Sequence, residues 1–498
     1  MTEREKMLEA ELKASRLEVK LLKGKVDALV RLLYGKKSEK LDSNQLMLLE
    51  GFESDEEDEA PATDAPPQAE ADRGNPAARS KPKRPRIPDD LPVYEEVIDP
   101  EEVKADPEQY RKIGEEVSEQ LDYRPAQFLK RRLIRRKYAR IDNAYAPPVI
   151  APLPAGLQER CLATPDLIAQ VVTSKYVDHL PLYRQERIFS RRYGVDIPRQ
   201  TLCRWVELAA WWFEPVYNEM VRVQNTRSYL QIDETPIAYL NPGAGKVGKG
   251  YLWVTSVPGA EVIYHWYRGR GAKYLDEMFA EDFEGTLQCD AYQAYGSFQK
   301  QRDGPIELAG CWAHVRRKFF ESLSRDRPVV AWLLVQIGQL YWIEHRLRAS
   351  GVSAKLRAVV RASESMPIVR RIGKALILLK PRYLPQSNLG KAISYAMGQW
   401  TDLQVYLHNG CIEIDNNLVE NAIRPTKLGA KNWLFFGSED SGKTSAILFT
   451  LIESAKRYGL EPYTYLCDLL HGLPNAKSGQ ISRFTPAAIA KAKQVDAA

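Results

Sequence analysis

Hydrophobic residues recur every seven positions along the first forty residues of the chain. Leucine and valine fill the two seam positions of this heptad pattern, which only Ser15 interrupts: Leu8, Leu12, Val19, Leu22, Val26, Leu29 and Leu33. β-Branched residues at one seam position and leucine at the other favour two-stranded coiled coils. The pattern predicts a coiled-coil helix over residues 1–48 that makes the protein a homo-oligomer. A helix packed on its own chain is the alternative.

A polar stretch and then a weak strand pattern follow. Residues 49–88 are acidic, then rich in Ala and Pro, then basic, so they have little to bury and are predicted to be a disordered linker. Residues 89–148 read as short strands and are predicted to form a small β-rich module. Within it, seven of the eleven residues at 130–140 are basic. A solvated surface and a DNA-binding strip are both open for that run.

Between residues 164 and 220 the apolar residues recur at helical spacing. Residues 191–206 have the pattern of a helix-turn-helix, with Gly194 for the turn and Pro198 in the first turn of the second helix. A recognition helix directs Arg or Gln toward bases and further Arg toward phosphates. Residues 149–225 are therefore predicted to be a helical DNA-binding region, although any helical hairpin could share the pattern. The candidate DNA contacts are Arg191, Arg192, Arg199, Gln200 and Arg204.

From residue 226 the pattern changes to strands that alternate with helices. The predicted segments are strands at 228–240, 250–257 and 261–266, a helix at 272–279, strands at 285–289 and 306–311 with a helix between them, and a helix after the last strand. Residues 320–407 then read as helical, and one more helix begins near Asn416. This order predicts an α/β multidomain protein with a mixed sheet.

Composition limits the class of protein. A chain of 498 residues exceeds what one hydrophobic core usually supports, so several domains are expected. The net charge of +6 does not by itself indicate a nucleic-acid partner. The six cysteines form no CxxC pair, so neither a disulfide framework nor a zinc ribbon is indicated. Because no run of about 18 apolar residues occurs, we expect a soluble, cytosolic protein without a membrane segment.

Two acidic residues stand in strands whose neighbours suit a buried sheet. Asp233 lies in the middle of the first strand (LQIDET), and Asp290 ends the strand TLQCD. A buried carboxylate is costly unless its charge is compensated, and two that point to one place repel each other. Mg²⁺ compensates such charges and also accepts phosphate oxygens as ligands. The two acids therefore predict a magnesium site for DNA strand cleavage, with a third acid supplied from elsewhere.

Glu420 is the candidate for that third acid. It lies in a predicted helix that Asp415 or Asn416 caps and that Pro425 ends. The sequence does not define which way a side chain faces. Asp415 and Glu234 therefore remain alternative ligands.

Basic residues near these acids are further candidate DNA contacts. His314 is predicted to lie on a helix, and the alternative for that helix is a basic surface with Trp312 in the core. His314 is not expected to bind a metal ion, because Cys311 lies on the same turn and no further ligand pair is evident. The candidates are His314, Arg316, Arg317, Arg424, Lys427 and Lys431.

Residues 437–444 (GSEDSGKT) satisfy the phosphate-binding P-loop pattern, after a strand-like WLFF and before a predicted helix at 446–458. Glu439 and Asp440 would put negative charge into a loop that cradles phosphates. Too few residues follow for the remainder of a nucleotide-binding sheet. A P-loop ATPase is therefore the less favoured alternative, and we expect a loop and a helix packed beside the helix of Glu420.

Seven segments, in order along nearly the whole chain, resemble transposases of the insertion sequence 66 family. They are the leucine-rich start with YGKKSEKL from Tyr34, IGEEVSEQLDY from Ile113, HLPLYRQE from His179, QIDET around Asp233, CDAY from Cys289, CWAHVRR from Cys311, and DNNLVENAIRP from Asp415. The resemblance implies a ribonuclease-H-like catalytic domain with a triad of Asp233, Asp290 and Glu420. It also implies that residues 320–407 are a helical insertion before the last acid, and that accessory proteins are encoded by the same element. From the chemistry of the carboxylates we expect two Mg²⁺ or Mn²⁺ ions as cofactors.

The zinc-binding module typical of that family is not expected here. Family members carry four cysteines around the segment that begins at Ile113, and the corresponding stretches of this chain contain none. Zinc is therefore unlikely as a cofactor, and the basic residues of the β-rich module are an alternative means of binding DNA.

Together these features predict a DNA transposase that cleaves the ends of its element and joins them to target DNA by metal-assisted phosphoryl transfer. Its expected partners are the inverted repeats and the target DNA at the nucleoid of a bacterial cytosol. A catalytically inactive DNA-binding regulator is the alternative. The predicted domains are a coiled coil (1–48), a linker (49–88), a β-rich module (89–148), a DNA-binding region (149–225), the catalytic core (226–320 and 412–470), a helical insertion (321–411) and a tail (471–498).

Overall fold

The computed structural model describes residues 87, 91–124, 127–142, 145–241, 247–302, 304–323 and 327–496. All of them belong to one unit of the chain, residues 82–498. The predicted coiled coil at 1–48 lies outside the described residues, as does the predicted linker at 49–88 apart from Ile87. Across the part of the chain that is described, no helix combines the length and the apolarity needed to cross a membrane.

The first described elements form a four-stranded sheet. They are β1 (Val93–Ile98), α1 (Glu101–Ala105), β2 (Tyr110–Arg124), β3 (Gln127–Arg140) and β4 (Val149–Ile150). β3 lies between β1, which is parallel to it, and β2, which is antiparallel, and β4 also pairs with β3. The β-rich character is as predicted, but β2 and β3 have 15 and 14 residues rather than being short. Long strands are stable here because they pair with each other along nearly their whole length.

The basic run at 130–140 is this central strand β3, and acids on its two neighbours pair with it. Arg131 and Arg132 contact Glu96 (2.5 Å) and Glu95 (3.1 Å) of β1. Lys137 lies 2.7 Å from Glu116 of β2. Strand pairing therefore compensates much of a positive charge that looks uncompensated along the sequence.

Three helices follow the sheet. They are α2 (Pro165–Tyr176), α3 (Leu182–Tyr193) and α4 (Arg199–Gln224). Gly194 ends α3 in the left-handed conformation (φ 66°), and its N–H donates to the carbonyl of Ser190. Val195 and Ile197 are buried in the connection, and a Glu186 carboxylate oxygen accepts from the first N–H of α4, that of Arg199, at 2.9 Å. The predicted pair of helices with a turn at Gly194 is therefore present.

A five-stranded mixed sheet forms the centre of the molecule. Its strands are β5 (Tyr229–Leu240), β6 (Val247–Ser256), β7 (Val262–Tyr267), β8 (Gly285–Gln288) and β9 (Ile306–Ala309), and the helices among and after them are α5 (Ala272–Met278), α6 (Gln293–Gln301) and α7 (Trp312–Glu321). The order across the sheet is β7-β6-β5-β8-β9. β5, β6 and β7 are antiparallel, whereas β8 and β9 run parallel to β5. The order of strands and helices predicted from the sequence is confirmed.

A helical segment interrupts the chain between β9 and the last helices. It contains α8 (Arg327–Ala349), α9 (Ala354–Val360), a π-helical turn (Arg361–Ser365), α10 (Met366–Leu379), α11 (Asn388–Gly398) and α12 (Val405–His408). It shares with α7 a hydrophobic core separate from the core between the sheet and α4. The predicted helical character of residues 320–407 is confirmed.

The last helices are α13 (Asn417–Trp433), α14 (Glu439–Arg457), α15 (Pro462–Gly472) and α16 (Pro486–Asp496). α14 packs on β7, where the Ser454 hydroxyl bonds the backbone of Val262, and α5 and α6 contribute to the core on the other side of the sheet. The predicted end of α13 at Pro425 is wrong, because the helix continues through it to Trp433. Proline lacks the backbone N–H that a helix interior normally uses, and the packing of α13 on both sides of Pro425 offsets this loss.

The P-loop interpretation of residues 437–444 is also wrong. α14 begins at Glu439, and the Ser438 hydroxyl caps it by accepting the N–H of Ser441 at 3.1 Å. A P-loop needs an open loop before its Gly-Lys pair, whereas these residues are helical. Gly442 faces Trp266 so closely that a Cβ would fall 2.3 Å from the ring. The preceding residues 433–436 form no strand and make a single bridge, at Phe436. The glycine serves packing.

Candidate active site

Asp233 lies on β5 of the central sheet, and Asp290 lies two residues beyond the end of the neighbouring strand β8. β5 and β8 are parallel, with Gln231 opposite Gln288, and each acid follows its glutamine by two residues. Successive side chains of a strand alternate between its two faces, so Asp233 is on the side of Gln231. The Asp233 carboxylate accepts the N–H of Glu234 at 2.8 Å, and that of Asp290 accepts the N–H of Tyr292 at 2.9 Å. Both carboxylates are half-buried.

Glu420 joins these two acids from the first turn of α13. Burial raises the pKa of Asp233 well above its ordinary value, and the negative charges of Glu234, Glu420 and Asp290 raise it further. Electrostatic repulsion of this kind requires short separations. The structure therefore places the carboxylates of Asp290 and Glu420 near that of Asp233, where their charges repel it.

Glu234, the first alternative ligand, is occupied by its own partners. Its side chain is only 1% exposed, and it accepts from the Arg270 guanidinium at 2.6 Å and the Tyr295 hydroxyl at 2.5 Å. The Arg270 guanidinium also stacks on the Tyr292 ring, 3.8 Å from its centroid. Burial raises the pKa of Glu234, and the Tyr295 hydroxyl and Arg270 oppose that rise. Glu234 anchors Arg270 beside the acids.

Asp415, the second alternative, begins the helix that carries Glu420. Its carboxylate accepts the N–H of Asn417 at 3.2 Å and the side-chain amide of Asn417 at 2.9 Å. Burial raises the pKa of Asp415. Because its oxygens are used to start α13, the geometry favours Glu420 over Asp415 as the third acid.

Comparison with known sequences identifies the family of a chain with this arrangement. The profile described as Transposase IS66 family matches residues 160–444, which is more than half of the chain and includes all three acids. The chain belongs to the IS66 family of transposases. Two further profiles match, Transposase C of IS166 homeodomain at residues 21–95 and IS66 C-terminal element at residues 450–487.

Proteins of Sinorhizobium fredii resemble this IS66-family chain over most of its length. The uncharacterized protein y4jD is 36% identical over 401 residues, which cover 77% of each chain. The uncharacterized protein y4qI is 36% identical over 419 residues, covering 80% of this chain and 76% of the relative.

Helix α7 of the IS66 fold places its basic residues beside Glu420. His314 Nδ1 lies 3.7 Å from one carboxylate oxygen of Glu420, and the Arg317 guanidinium lies 3.9 Å from the other. Burial and the Arg317 charge lower the pKa of His314 below its ordinary value. Arg316, in contrast, is exposed. The structure therefore brings His314 and Arg317 into the acidic cluster.

One feature of this helix was not predicted. Cys311, His314 and Glu420 offer metal-ligand atoms that all lie within 4.8 Å of one another. The sequence pointed away from His314 as a ligand because the third member, Glu420, comes from a helix more than a hundred residues later. Any ion held by this set would share Glu420 with the acids.

The remaining basic candidates lie on two other surfaces. On α13, the Lys427 ammonium is 3.5 Å from the carbonyl oxygen of Pro236 on β5, Arg424 is half-buried and Lys431 is exposed. The five candidates of the helix pair are all exposed and lie at the end of α3 and the start of α4: Arg191, Arg192, Arg199, Gln200 and Arg204. They form a group separate from the acids.

Two residues of the site were missed by the sequence reasoning, Gln231 and Gln288. Both are fully buried. A signal for them exists in the sequence, because each acid closes the same pattern, LQID at 230–233 and LQCD at 287–290. A polar residue repeated two positions before each acid marks one face of neighbouring strands.

Proposed function

We propose that this chain is a DDE-type DNA transposase whose metal-binding triad is Asp233, Asp290 and Glu420. The observation that carries the proposal is the gathering of these three carboxylates, in which the charges of Glu420 and Asp290 raise the pKa of Asp233. Membership of a transposase family supports DNA as the substrate. The mixed sheet supports assigning residues 226–320 and 412–470 to a ribonuclease-H-like catalytic core with a helical insertion at 321–411.

The residues present fit divalent cations. Carboxylate oxygens are the ligands that Mg²⁺ prefers, and Mn²⁺ accepts the same set. Glu234 has Arg270 as its counter-charge, whereas the buried Asp233 carboxylate is repelled by the charges of Glu420 and Asp290. Two Mg²⁺ or Mn²⁺ ions held by these three residues would remove that repulsion. Bound there, they would supply an activated water and stabilise the leaving 3′ oxygen.

Groups of this chain orient the DNA around the acids. The Arg317 guanidinium and the His314 ring lie next to the Glu420 carboxylate, and the Lys427 ammonium lies near Pro236 of β5. They can hydrogen-bond phosphate oxygens and fix the position of the scissile bond. Exposed Arg316 and Lys431 add positive charge beyond them.

Recognition of the element ends is assigned to the helix pair α3 and α4. Exposed Arg and Gln side chains at the start of a helix suit base edges and phosphates. The five residues proposed for this contact are Arg191, Arg192, Arg199, Gln200 and Arg204. We further propose that residues 1–48 form a coiled coil that holds two chains, and hence two DNA ends, together. Accessory proteins of the same element are proposed partners.

Incubation with DNA that carries the flanking inverted repeats, in Mg²⁺ or Mn²⁺, tests the proposal. Nicks at the element ends and joined products are expected from the wild type. Asp233→Asn, Asp290→Asn and Glu420→Gln should each lower both by about a thousandfold, since several kcal/mol of metal-dependent stabilisation is lost. Asp415→Asn is the matched control and should stay within about tenfold, because asparagine also caps helices.

The results separate the alternatives. Full activity of Glu420→Gln together with an inactive Asp415→Asn would move the third ligand to Asp415. A wild-type protein that binds the repeats but cuts nothing in either metal would instead be a DNA-binding regulator.

A further inference from the structure

Two glutamines lie side by side beneath the two strand-borne acids. Gln231 of β5 and Gln288 of β8 are partners in the parallel ladder, and both side chains are fully buried. A buried amide costs free energy unless it forms hydrogen bonds. The hydrogen bonds that Gln231 and Gln288 form therefore indicate the structural role of the two side chains.

Both amides donate to the backbone just before helix α13. Gln288 Nε2 donates to the carbonyl oxygen of Glu413 at 2.7 Å, and Gln231 Nε2 donates to that of Asp415 at 2.9 Å. Gln231 Nε2 also donates to Gln288 Oε1 at 2.9 Å, so the two side chains hold each other. Tyr229, two residues before Gln231, adds a hydroxyl that donates to Gln288 Oε1 at 2.6 Å and accepts the N–H of Glu413 at 3.0 Å.

The segment that they hold leads directly to Glu420. The carbonyl of Ile414, between the two bonded carbonyls, accepts the N–H of Trp312 at 3.2 Å, so three successive carbonyls are fixed. The Glu420 N–H then donates to the carbonyl of Asn416 at 3.2 Å, in the first turn of α13. Residues 413–415 therefore connect the strands of Asp233 and Asp290 to the helix of Glu420.

Such a connection is needed because Glu420 is remote in the chain. The whole helical segment between β9 and α13 precedes it. Residues that are close in sequence therefore do not fix the position of Glu420 relative to β5 and β8. The strands that carry two of the acids fix that position through side chains two residues away. Any shift of β5 or β8 would carry segment 413–415 with it.

We propose that Gln231 and Gln288, assisted by Tyr229, are positioning residues that set Glu420 relative to Asp233 and Asp290. The inference rests on the proposed function of these three acids as metal ligands. Methionine approximates the volume of glutamine but lacks the amide. Gln231→Met and Gln288→Met therefore remove the bonds with little change in packing.

Two readouts test the proposal on the full chain. Without metal, amide hydrogen exchange of residues 412–422 should become about tenfold faster in either variant, the effect of one lost buried hydrogen bond on local opening. With inverted-repeat DNA, the Mg²⁺ concentration that gives half-maximal cleavage should rise about tenfold, because the ligands are no longer pre-arranged.

Gln185→Met is the matched control. Gln185 is also fully buried and its amide also donates to two backbone carbonyls, those of Val171 at 3.2 Å and Leu180 at 3.0 Å, but in the helical region. Gln185→Met should lose about as much thermal stability as Gln231→Met and Gln288→Met. It should leave the hydrogen exchange of residues 412–422 and the Mg²⁺ concentration for half-maximal cleavage unchanged. Tyr229→Phe, which removes only a hydroxyl, supplies the same comparison if a glutamine variant does not fold.

Asp233→Asn distinguishes a failure of the proposed function from a failure of the positioning role. If it still cleaves DNA, the proposed function fails, while hydrogen exchange continues to report on the glutamines. If it is inactive and the variants of Gln231, Gln288 and Tyr229 match Gln185→Met in both readouts, the positioning role is overturned and the proposed function stands.

Discussion

Charged side chains are buried in two regions of the molecule, the helical insertion and the acidic edge of the central sheet, which consists of Asp233, Asp290 and Glu420. The two regions differ in the sign of the charges that lie next to one another. In the insertion, Arg361 and Glu344 are fully buried and lie 2.7 Å apart, and Arg357 bridges Glu344 (2.9 Å) to Glu413 (2.7 Å). At the edge, burial raises the pKa of Asp233, and the charges of Glu234, Glu420 and Asp290 raise it further. In the first region opposite charges attract each other, whereas in the second like charges repel Asp233.

The pairing in the insertion is expected to matter most for stability. Arg361→Met removes one member of a buried pair and should lower the free energy of unfolding by about 3–5 kcal/mol. Urea denaturation measures it. Arg346→Met is the control, because Arg346 and its partner Glu364 are both 41% exposed, and exposed pairs contribute about 1 kcal/mol or less. Equal losses of unfolding free energy in Arg361→Met and Arg346→Met would contradict the expected difference between the buried and the exposed pair.

At the acidic edge, the removal of a charged side chain should raise the stability of the protein instead of lowering it. Asp233→Asn removes a repelled carboxylate, so metal-free protein should melt at a higher temperature than the wild type at pH 7. The folded pKa of Asp233 lies above its ordinary value of 3.8, so ionisation costs stability as the pH rises through the folded pKa. The advantage of the variant should therefore vanish toward pH 3.8.

Metal addition sharpens this prediction. Saturating Mg²⁺ should raise the melting temperature of the wild type, by mass action, and not that of Asp233→Asn. A lower melting temperature of the metal-free variant at neutral pH would show that Asp233 is not repelled, and the comparison of the two regions would collapse.

Pairing should also decide which arginines bind DNA. Arg204 is exposed on α4, whereas Arg132 of β3 lies 3.1 Å from Glu95 and 3.5 Å from Glu119. Arg204→Gln should weaken binding to inverted-repeat DNA about tenfold, and Arg132→Gln less than about threefold. Fluorescence anisotropy at one fixed salt concentration measures both. The reverse order would indicate that the basic strand is the DNA-binding surface.

The smallest effect is expected at Lys443. Its side chain is 63% exposed on α14, 3.9 Å from Asp440. Lys443→Ala should leave DNA cleavage unchanged, and the purified protein should not hydrolyse ATP. Loss of cleavage in this variant, together with ATP hydrolysis by the wild type, would restore a nucleotide-binding role to this helix.

Local patterns in the sequence were enough to predict the strands and helices of the central sheet and the helical character of the segment after it, and they singled out two acids as candidates. Alternation along β5 and helical spacing between residues 320 and 407 are properties of neighbouring residues, so they need no knowledge of the fold. The acids were visible because Asp233 and Asp290 stand among residues that suit a buried strand. Where these predictions succeeded, the cause lay within a few residues of the effect.

Tertiary structure alone decided what depends on residues distant in the chain. Glu95 and Glu116 compensate the basic strand only because β1 and β2 flank it, and α13 continues through Pro425 where a local rule would end it. Glu420 is favoured over Asp415 and Glu234 because Asn417, Arg270 and Tyr295 engage the other two. Sequence determines what each segment can form, whereas the partner that a charge or carbonyl meets is a property of the assembled fold.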